Sequence, residues 1–271
     1  MDIGDLPGRL RASPAAEAAR HFGRLLRKSF LWAWLDVVCQ YRRSRIGPFW
    51  ETINVIVMTL GLTLVSSAVL GGEFAGHVGY VGLGVVVWSA ISGLINEGSS
   101  IFVKYRALIV STTIGVDVYV GRTVFNVMIT FAHHLVIYVV GVMLMLIPIG
   151  WISLLAIPGI VLFFVNGVWV VTVLAFVCAR FRDVELIVRN LLQLAFFVTP
   201  VFWNHHQIVG SRRFLVEYNV LFHFLEIIRG PLLGHLPPAG HYVVVAGVTV
   251  FGSALAVLVQ RRMRRPLAFF V

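Results

Sequence analysis

Five stretches of the chain run long enough without Asp, Glu, Lys or Arg to cross a bilayer: Thr52–Leu70, Val78–Asn96, Val124–Leu146, Leu154–Cys178 and Tyr242–Val259. A hydrocarbon core of ~30 Å takes about 20 helical residues, so each predicts a transmembrane helix. A sixth run, Leu191–Trp203, is shorter and contains Pro200. It completes a span if Leu186–Asn190 adds a turn and Arg189 snorkels to the interface. Six spans put both termini on one side.

Two segments depart from an up-and-down bundle. In Pro14–Gln40, Phe22, Leu25, Leu26 and Phe30 recur at helical spacing against Arg20, Arg24, Arg27 and Lys28, with Leu31, Trp34, Leu35 and Val38 following. A basic amphipathic helix with tryptophans is expected to lie in the headgroup layer. The loop Asn204–His241 has a middle, Phe214–Leu233, too apolar for a free loop, yet Glu217, Glu226 and Arg229 keep it from being a lipid-exposed span. Backbone that dips into a membrane without crossing survives only under protein or water. The expectation is a pair of short re-entrant helices folded into the mouth of the bundle.

Composition supports a polytopic membrane protein. Hydrophobic residues make up 59% of the chain and charged residues 13%, against ~25% charged in ordinary globular domains. With a mean hydropathy of +0.90, there is more apolar surface than one soluble core could bury. The net charge of +10 belongs to topology, because its placement is one-sided. Nineteen Lys/Arg fall on the side holding both termini and three (Arg212, Arg213 and Arg229) on the other. The positive-inside rule makes both termini cytoplasmic, and no nucleic-acid partner is expected. The expected organisation is a cytoplasmic N-terminal segment, 1–50, and a membrane domain, 51–271. About fifty residues precede the first long apolar run, so a cleaved leader is not expected. Cys39 and Cys178, near predicted cytoplasmic edges, imply neither a disulfide framework nor a metal site.

The sequence carries little enzymatic chemistry. It has no G-x-x-x-x-G-K-[ST] phosphate loop, and its two lysines are Lys28 and Lys104. The chain is therefore not expected to hydrolyse ATP itself. The charge-free runs hold no carboxylate of the kind an ion-coupled carrier uses. Asp183 and Glu185, beside Arg180 and Arg182, are expected to form a charged loop. His133 and His134 fall inside the third run and need a partner helix or a pore. His205, His206, His223, His235 and His241 gather in the long loop without a familiar zinc spacing. No metal is expected. The aromatics (20 Phe, 7 Trp, 7 Tyr) suit sugar stacking, interfacial belts and packing equally.

The segment before the first run is more specific. Tyr41-Arg42-Arg43-Ser44-Arg45-Ile46-Gly47-Pro48-Phe49-Trp50 resembles the pre-span motif of ABC-2 type polysaccharide-export permeases. Arg180-Phe181-Arg182-Asp183 after the fourth run, Thr199-Pro200-Val201-Phe202-Trp203 closing the fifth, and Asn219 through Arg229 in the long loop agree in order. The resemblance extends from Trp32 onward. The chain departs from it at Ile46-Gly47, where the family commonly has Leu-Gly, and at Asn219-Val220, where it often has Asn-Pro.

The resemblance implies an all-α homodimer of six-span subunits with a channel at the dimer interface. Two copies of a separate ATPase subunit would bind ATP and Mg, leaving this chain without a cofactor. The substrate would be a polymer on a polyprenyl pyrophosphate lipid in the cell inner membrane. Tyr41, Arg42, Arg43, Arg45, Gly47 and Trp50 would then meet the pyrophosphate. Gly47 and Pro48 bend the chain there, leaving backbone amides and arginine forks free for the anion. Phe197, Phe202 and Trp203 would line the channel, and Asn219, Phe222, Glu226 and Arg229 would form the outer gate. Lys104, Tyr105 and Arg106, expected to be exposed, would couple to the ATPase. An exporter of small amphiphiles is the alternative. A membrane enzyme acting on polyprenyl lipids would need an acidic or nucleophilic cluster at a membrane face.

Overall fold

A computed structural model of the chain describes residues 13–42, 44–47, 49–71, 73–205 and 213–263. Among them the structure is helical, without strands. The helices are α1 (Pro14–Tyr41), α2 (Phe49–Leu70), α3 (Phe74–Lys104), α4 (Arg106–Ser111), α5 (Val116–His134), α6 (Val136–Met143), α7 (Ala156–Arg180), α8 (Asp183–Val198), α9 (Phe214–Glu217), α10 (Val220–Leu232) and α11 (Ala239–Met263). A 3₁₀ turn, Trp151–Leu155, leads into α7. Five stretches are long and apolar enough to cross a membrane: Phe49–Val69, Phe74–Lys104, Val116–Met143, Trp151–Arg180 and Ala239–Met263.

The bundle is organised around α3. Its 31 residues extend ~46 Å at 1.5 Å per residue, and it packs against α2, α5, α7, α8 and α10. A helix this enclosed must be apolar all round, and its central run Val81–Trp88 is buried throughout. Glycines let its neighbours approach closely, as between membrane helices generally. A Cβ at Gly98 would lie 3.0 Å from Val171 Cα on α7. Elsewhere, Asn166 of α7 ties α7 to α11. It donates to Thr249 Oγ1 (2.8 Å) and accepts from Trp169 Nε1 (2.7 Å).

A second apolar cluster at one end of the bundle comprises Ile101, Phe102, Val116, Tyr119, Ala175, Phe176 and Ala179, with Val259 and Met263 packed against them. Here α3, α7 and α11 finish and α5 begins. Lys104, Arg106, Arg182, Arg261 and Arg262 lie at or near these termini, and this end is called the basic end below.

Helix α1 packs along α5. Small and short residues hold it to α5. Ser29, Ala33 and Val37 are buried, and Ser29 Oγ donates to the Val118 carbonyl at 3.3 Å. A Cβ at Gly121 would collide with the Ser29 side chain. The bulky residues of the amphipathic stripe (Phe22, Phe30, Leu31, Trp34, Leu35 and Val38) stay exposed.

Three expectations are corrected. The segment Leu191–Trp203 is not helical to its end: α8 has 16 residues, and Thr199–Trp203 is an irregular turn. Pro200 is the cause, because the residue before proline is driven extended, and Thr199 has φ −80° and ψ 134°. Asp183 and Glu185 are not in a loop but open α8, where carboxylates are favoured by the helix dipole. The charge-free run ending at Asn96 stops short of the helix, which carries Glu97 inward of Lys104.

Candidate functional site

The loop between α1 and α2 is a tight turn. Ser44 N donates to the Tyr41 carbonyl (2.9 Å) and Gly47 N to Ser44 Oγ (3.0 Å). Gly47 has φ +63°, a conformation that glycine adopts without the Cβ penalty. Arg42 and Arg45 are exposed, as are Phe49 and Trp50. Arg43 and Pro48 lie outside the described residues. Three backbone amides of the turn are engaged: Ser44 and Gly47 as above, and Trp50 N by the Gly47 carbonyl at 3.4 Å. The exposed turn presents the Arg42 and Arg45 side chains.

Behind this loop lies a cavity of 540 Å³ between α1, α2, α3 and α5. Its lining is mixed: Gln40, Tyr41, Glu51, Asn54, Ser89, Ser92, Asn96, Glu97, Asn126, Thr130, His133 and His134 are set among Val37, Val55, Met58, Val85, Trp88, Val127 and Phe131. A second cavity of 390 Å³ shares Gln40, Glu97 and Asn126 with it and reaches Lys104 at the basic end. Glu97 accepts from Asn126 Nδ2 at 3.3 Å. His134 Nδ1 lies 3.0 Å from Ser89 Oγ, while its Nε2 is buried without a partner. His133 Nδ1 bonds the Ile129 carbonyl at 2.7 Å. Burial, and secondarily the negative charge of Glu51, push the Tyr41 hydroxyl above its usual range, so it stays protonated and able to donate.

The sequence singled out only part of this constellation. It flagged Tyr41, His133 and His134 but not Glu97, Asn96, Asn126 or Asn54. The available signal was the spacing of Thr123, Asn126, Thr130 and His134, a polar stripe at three- and four-residue intervals on one helix face.

The coupling candidates divide. Lys104 and Arg106 are exposed, but Tyr105 is half-buried. Arg122 explains the difference: its guanidinium lies over the Tyr105 ring at 4.1 Å and the Trp32 ring at 5.4 Å, and it pairs with Asp36 of α1. Such stacking favours arginine's planar cation. Tyr105 thus belongs to the contact between α1, α3 and α5.

A more open groove of 590 Å³ runs between α2, α3 and α8. Phe197 and Phe196 line it with Trp88, Asn96, Arg189 and Gln193. Phe202 does not line this groove. It stacks on Phe196 at 5.6 Å between ring centroids. Trp203 donates from Nε1 to the Phe197 carbonyl at 3.1 Å, bracing the turn after α8.

Of the four gate candidates, Asn219 and Arg229 bond that same turn, at the end opposite the basic one. Arg229 of α10 is fully buried. It donates to Glu226 Oε2 and to the Pro200 carbonyl, both at 2.8 Å, and lies over the Tyr80 ring at 3.8 Å. Tyr80 in turn donates to the Trp203 carbonyl at 3.2 Å. The carbonyls freed where Pro200 breaks α8 are thus met by side chains, as irregular backbone in an apolar interior requires. Burial opposes ionisation of Glu226, but the charge and hydrogen bond of Arg229 outweigh it and hold the carboxyl below its usual range. Asn219 caps α10, accepting from Leu221 N at 3.0 Å, and donates to Thr199 Oγ1 at 2.9 Å. Phe222 is buried beside His205, His223 and His241. Among the described residues no three His, Cys, Asp or Glu side chains gather as a metal site.

This architecture has relatives. The O-antigen export system permease protein RfbA of Myxococcus xanthus is 24% identical over 220 residues, 79% of this chain and 84% of that protein. The model of the ABC-2 type transporter family matches residues 27–233, from the α1–α5 contact through the buried Arg229. The chain therefore belongs to the ABC-2 type transporter family, as the membrane permease subunit of an ABC transporter.

Proposed function

We propose that this permease exports a polyprenyl-linked cell-surface polysaccharide across the inner membrane. The observation that carries this reading is the Gly47 turn, which exposes Arg42 and Arg45 directly before the first span. Guanidiniums there suit a lipid pyrophosphate, since they bind phosphate through bidentate forks. The similarity to an O-antigen export permease points to the same substrate class.

The working unit in this reading is a homodimer with two copies of an ATPase subunit, which holds ATP and Mg. The basic end is cytoplasmic by the positive-inside rule, and α8 with its terminal turn is the sixth span. The exposed apolar residues of α1 rest in the inner headgroup layer. Helices α9 and α10 form the re-entrant outer gate, in which Asn219, Phe222, Glu226 and Arg229 take part. The groove with Phe197 lies along the channel, while Lys104 and Arg106 face the ATPase.

The direct test is deletion of the coding gene. The expected result is loss of surface polysaccharide with polyprenyl-linked polymer retained inside, restored by wild-type protein. Unchanged surface polysaccharide together with loss of resistance to small amphiphiles would favour the other class of exporter.

A further inference from the structure

We propose that the cavity behind the Gly47 turn is a binding site for the sugar residue attached to the pyrophosphate, so that the permease reads the first sugar of its lipid-linked substrate. This rests on the export reading above and adds a second recognition element to it. The turn would hold the phosphates, and the cleft would hold the carbohydrate.

Charge separates the two tasks. The cations Arg42 and Arg45 are on the exposed turn, whereas carboxylates, Glu51 and Glu97, line the cavity. A phosphate inside would face those carboxylates in a medium of reduced dielectric, where like charges repel strongly. It belongs on the rim. What the interior offers is neutral or acceptor-rich: the amides of Asn96 and Asn126, the Glu97 carboxylate, and His134 with an unpartnered Nε2. Hydroxyl groups both donate and accept, and so can meet each of these. Trp88 and Tyr41 add flat apolar faces for a pyranose ring. At 540 Å³ the volume lies within the ~300–1,000 Å³ typical of small-molecule sites.

A bare cation fits less well. Glu51 and Glu97 come from different helices, and no third His, Cys, Asp or Glu joins them in a metal-binding group among the described residues. A purely structural void also fits poorly, because buried polar groups left without partners are costly. A ligand bearing hydroxyl groups would meet His134 Nε2 and the other polar groups set among the apolar lining.

The test uses the full-length protein in phosphatidylethanolamine–phosphatidylglycerol nanodiscs and two probes: a short-chain prenyl diphosphate bearing one hexose, and the same prenyl diphosphate without sugar. The sugar-bearing probe is expected to bind wild-type protein at least tenfold more tightly. Glu97→Leu should bring it down to the affinity of the bare probe while leaving the bare probe unchanged. Asn54→Trp, an exposed change at the mouth that spares the core, should do the same by obstruction. Arg45→Ala should weaken both probes. Equal binding of the two probes to wild type, or an equal loss of both in the Glu97 and Asn54 variants, would overturn the sugar site while leaving the export reading standing. Failure of wild type to bind either probe would remove the polyprenyl reading and this site with it.

Discussion

Buried charge is handled in opposite ways toward the two ends of α3. At the end where α3 begins, Arg229 is fully enclosed, and Glu226, the Pro200 carbonyl and the Tyr80 ring meet its guanidinium. Toward the basic end, Glu97 accepts from a single amide, Asn126, and faces a cavity with His134 and Asn96. The first arrangement meets both terminal nitrogens of the guanidinium with protein acceptors and leaves only Arg229 Nε without a partner. The second leaves hydrogen-bonding capacity facing a void. Satisfied polar groups in an apolar interior lock a structure, and underused ones around a void suit a ligand. In the reading proposed above, the difference suits closure at one end and recognition at the other.

The largest effect that would break this contrast is expected at the closed end. Arg229→Met should leave Glu226 buried without its cation and the Pro200 carbonyl without a donor. Removing one partner of a buried pair costs about 3–5 kcal/mol, so the detergent-solubilised variant should lose most of its folded fraction in a thermal aggregation assay. Arg229→Lys should recover only part of it, because one ammonium cannot serve Glu226, Pro200 and Tyr80 together. Wild-type stability in the Met variant would show that Arg229 is dispensable to the closure.

Next in size is packing along α3. Gly98→Leu places a side chain where Val171 Cα already stands 3.0 Å from a Cβ. Overpacking of this kind costs about 1–3 kcal/mol, and a matching fall in thermal midpoint is expected. Glu97→Gln sharpens the contrast from the other side. It should change stability by well under 1 kcal/mol, within the range of substitutions that break no buried network, while transport of the native substrate falls at least tenfold. Equal damage to stability and transport would make Glu97 a structural residue.

The smallest expected effect is pH dependence at the closed end. The carboxyl of Glu226 is held below its usual range in the folded protein. Its contribution is therefore present above the unfolded-state value and lost as pH falls through the folded one. Thermal stability should decline on acidification below the ordinary carboxylate range, and Glu226→Gln should flatten that decline.

Much of the closed end was legible in the sequence. Asn219, Phe222, Glu226 and Arg229 fall in an apolar loop that could be neither solvent loop nor lipid-facing span, and each engages the fold there. The turn that Arg229 serves was not legible, because the partners Tyr80 and Pro200 are 149 and 29 positions away and only packing joins them. The open end was harder to read. Taking the first charge as the edge of the run ended the second span at Asn96, one residue short of Glu97. Helix α3 passes through that point to Lys104, and Asn126 of α5 meets the carboxylate, a contact that hydropathy along the sequence cannot contain. The same holds for Tyr105, whose polarity predicts exposure while Arg122 and Tyr119 cover its ring. Helix α1 shows the converse: its bulky stripe was legible, but the small residues Ser29 and Ala33 that are buried against α5, and the pairing of Asp36 with Arg122, were not.

The most direct test of a cleft open to the cytoplasm beneath an outer closure is two-sided cysteine labelling. In a Cys39→Ser background, Asn54→Cys reports the cleft and Tyr218→Cys, on the exposed turn before α10, reports the opposite end. With a membrane-impermeant maleimide, Asn54→Cys should react only from the cytoplasmic side and Tyr218→Cys only from the external side. Reaction of Asn54→Cys from outside, or of Tyr218→Cys from the cytoplasm, would contradict the account.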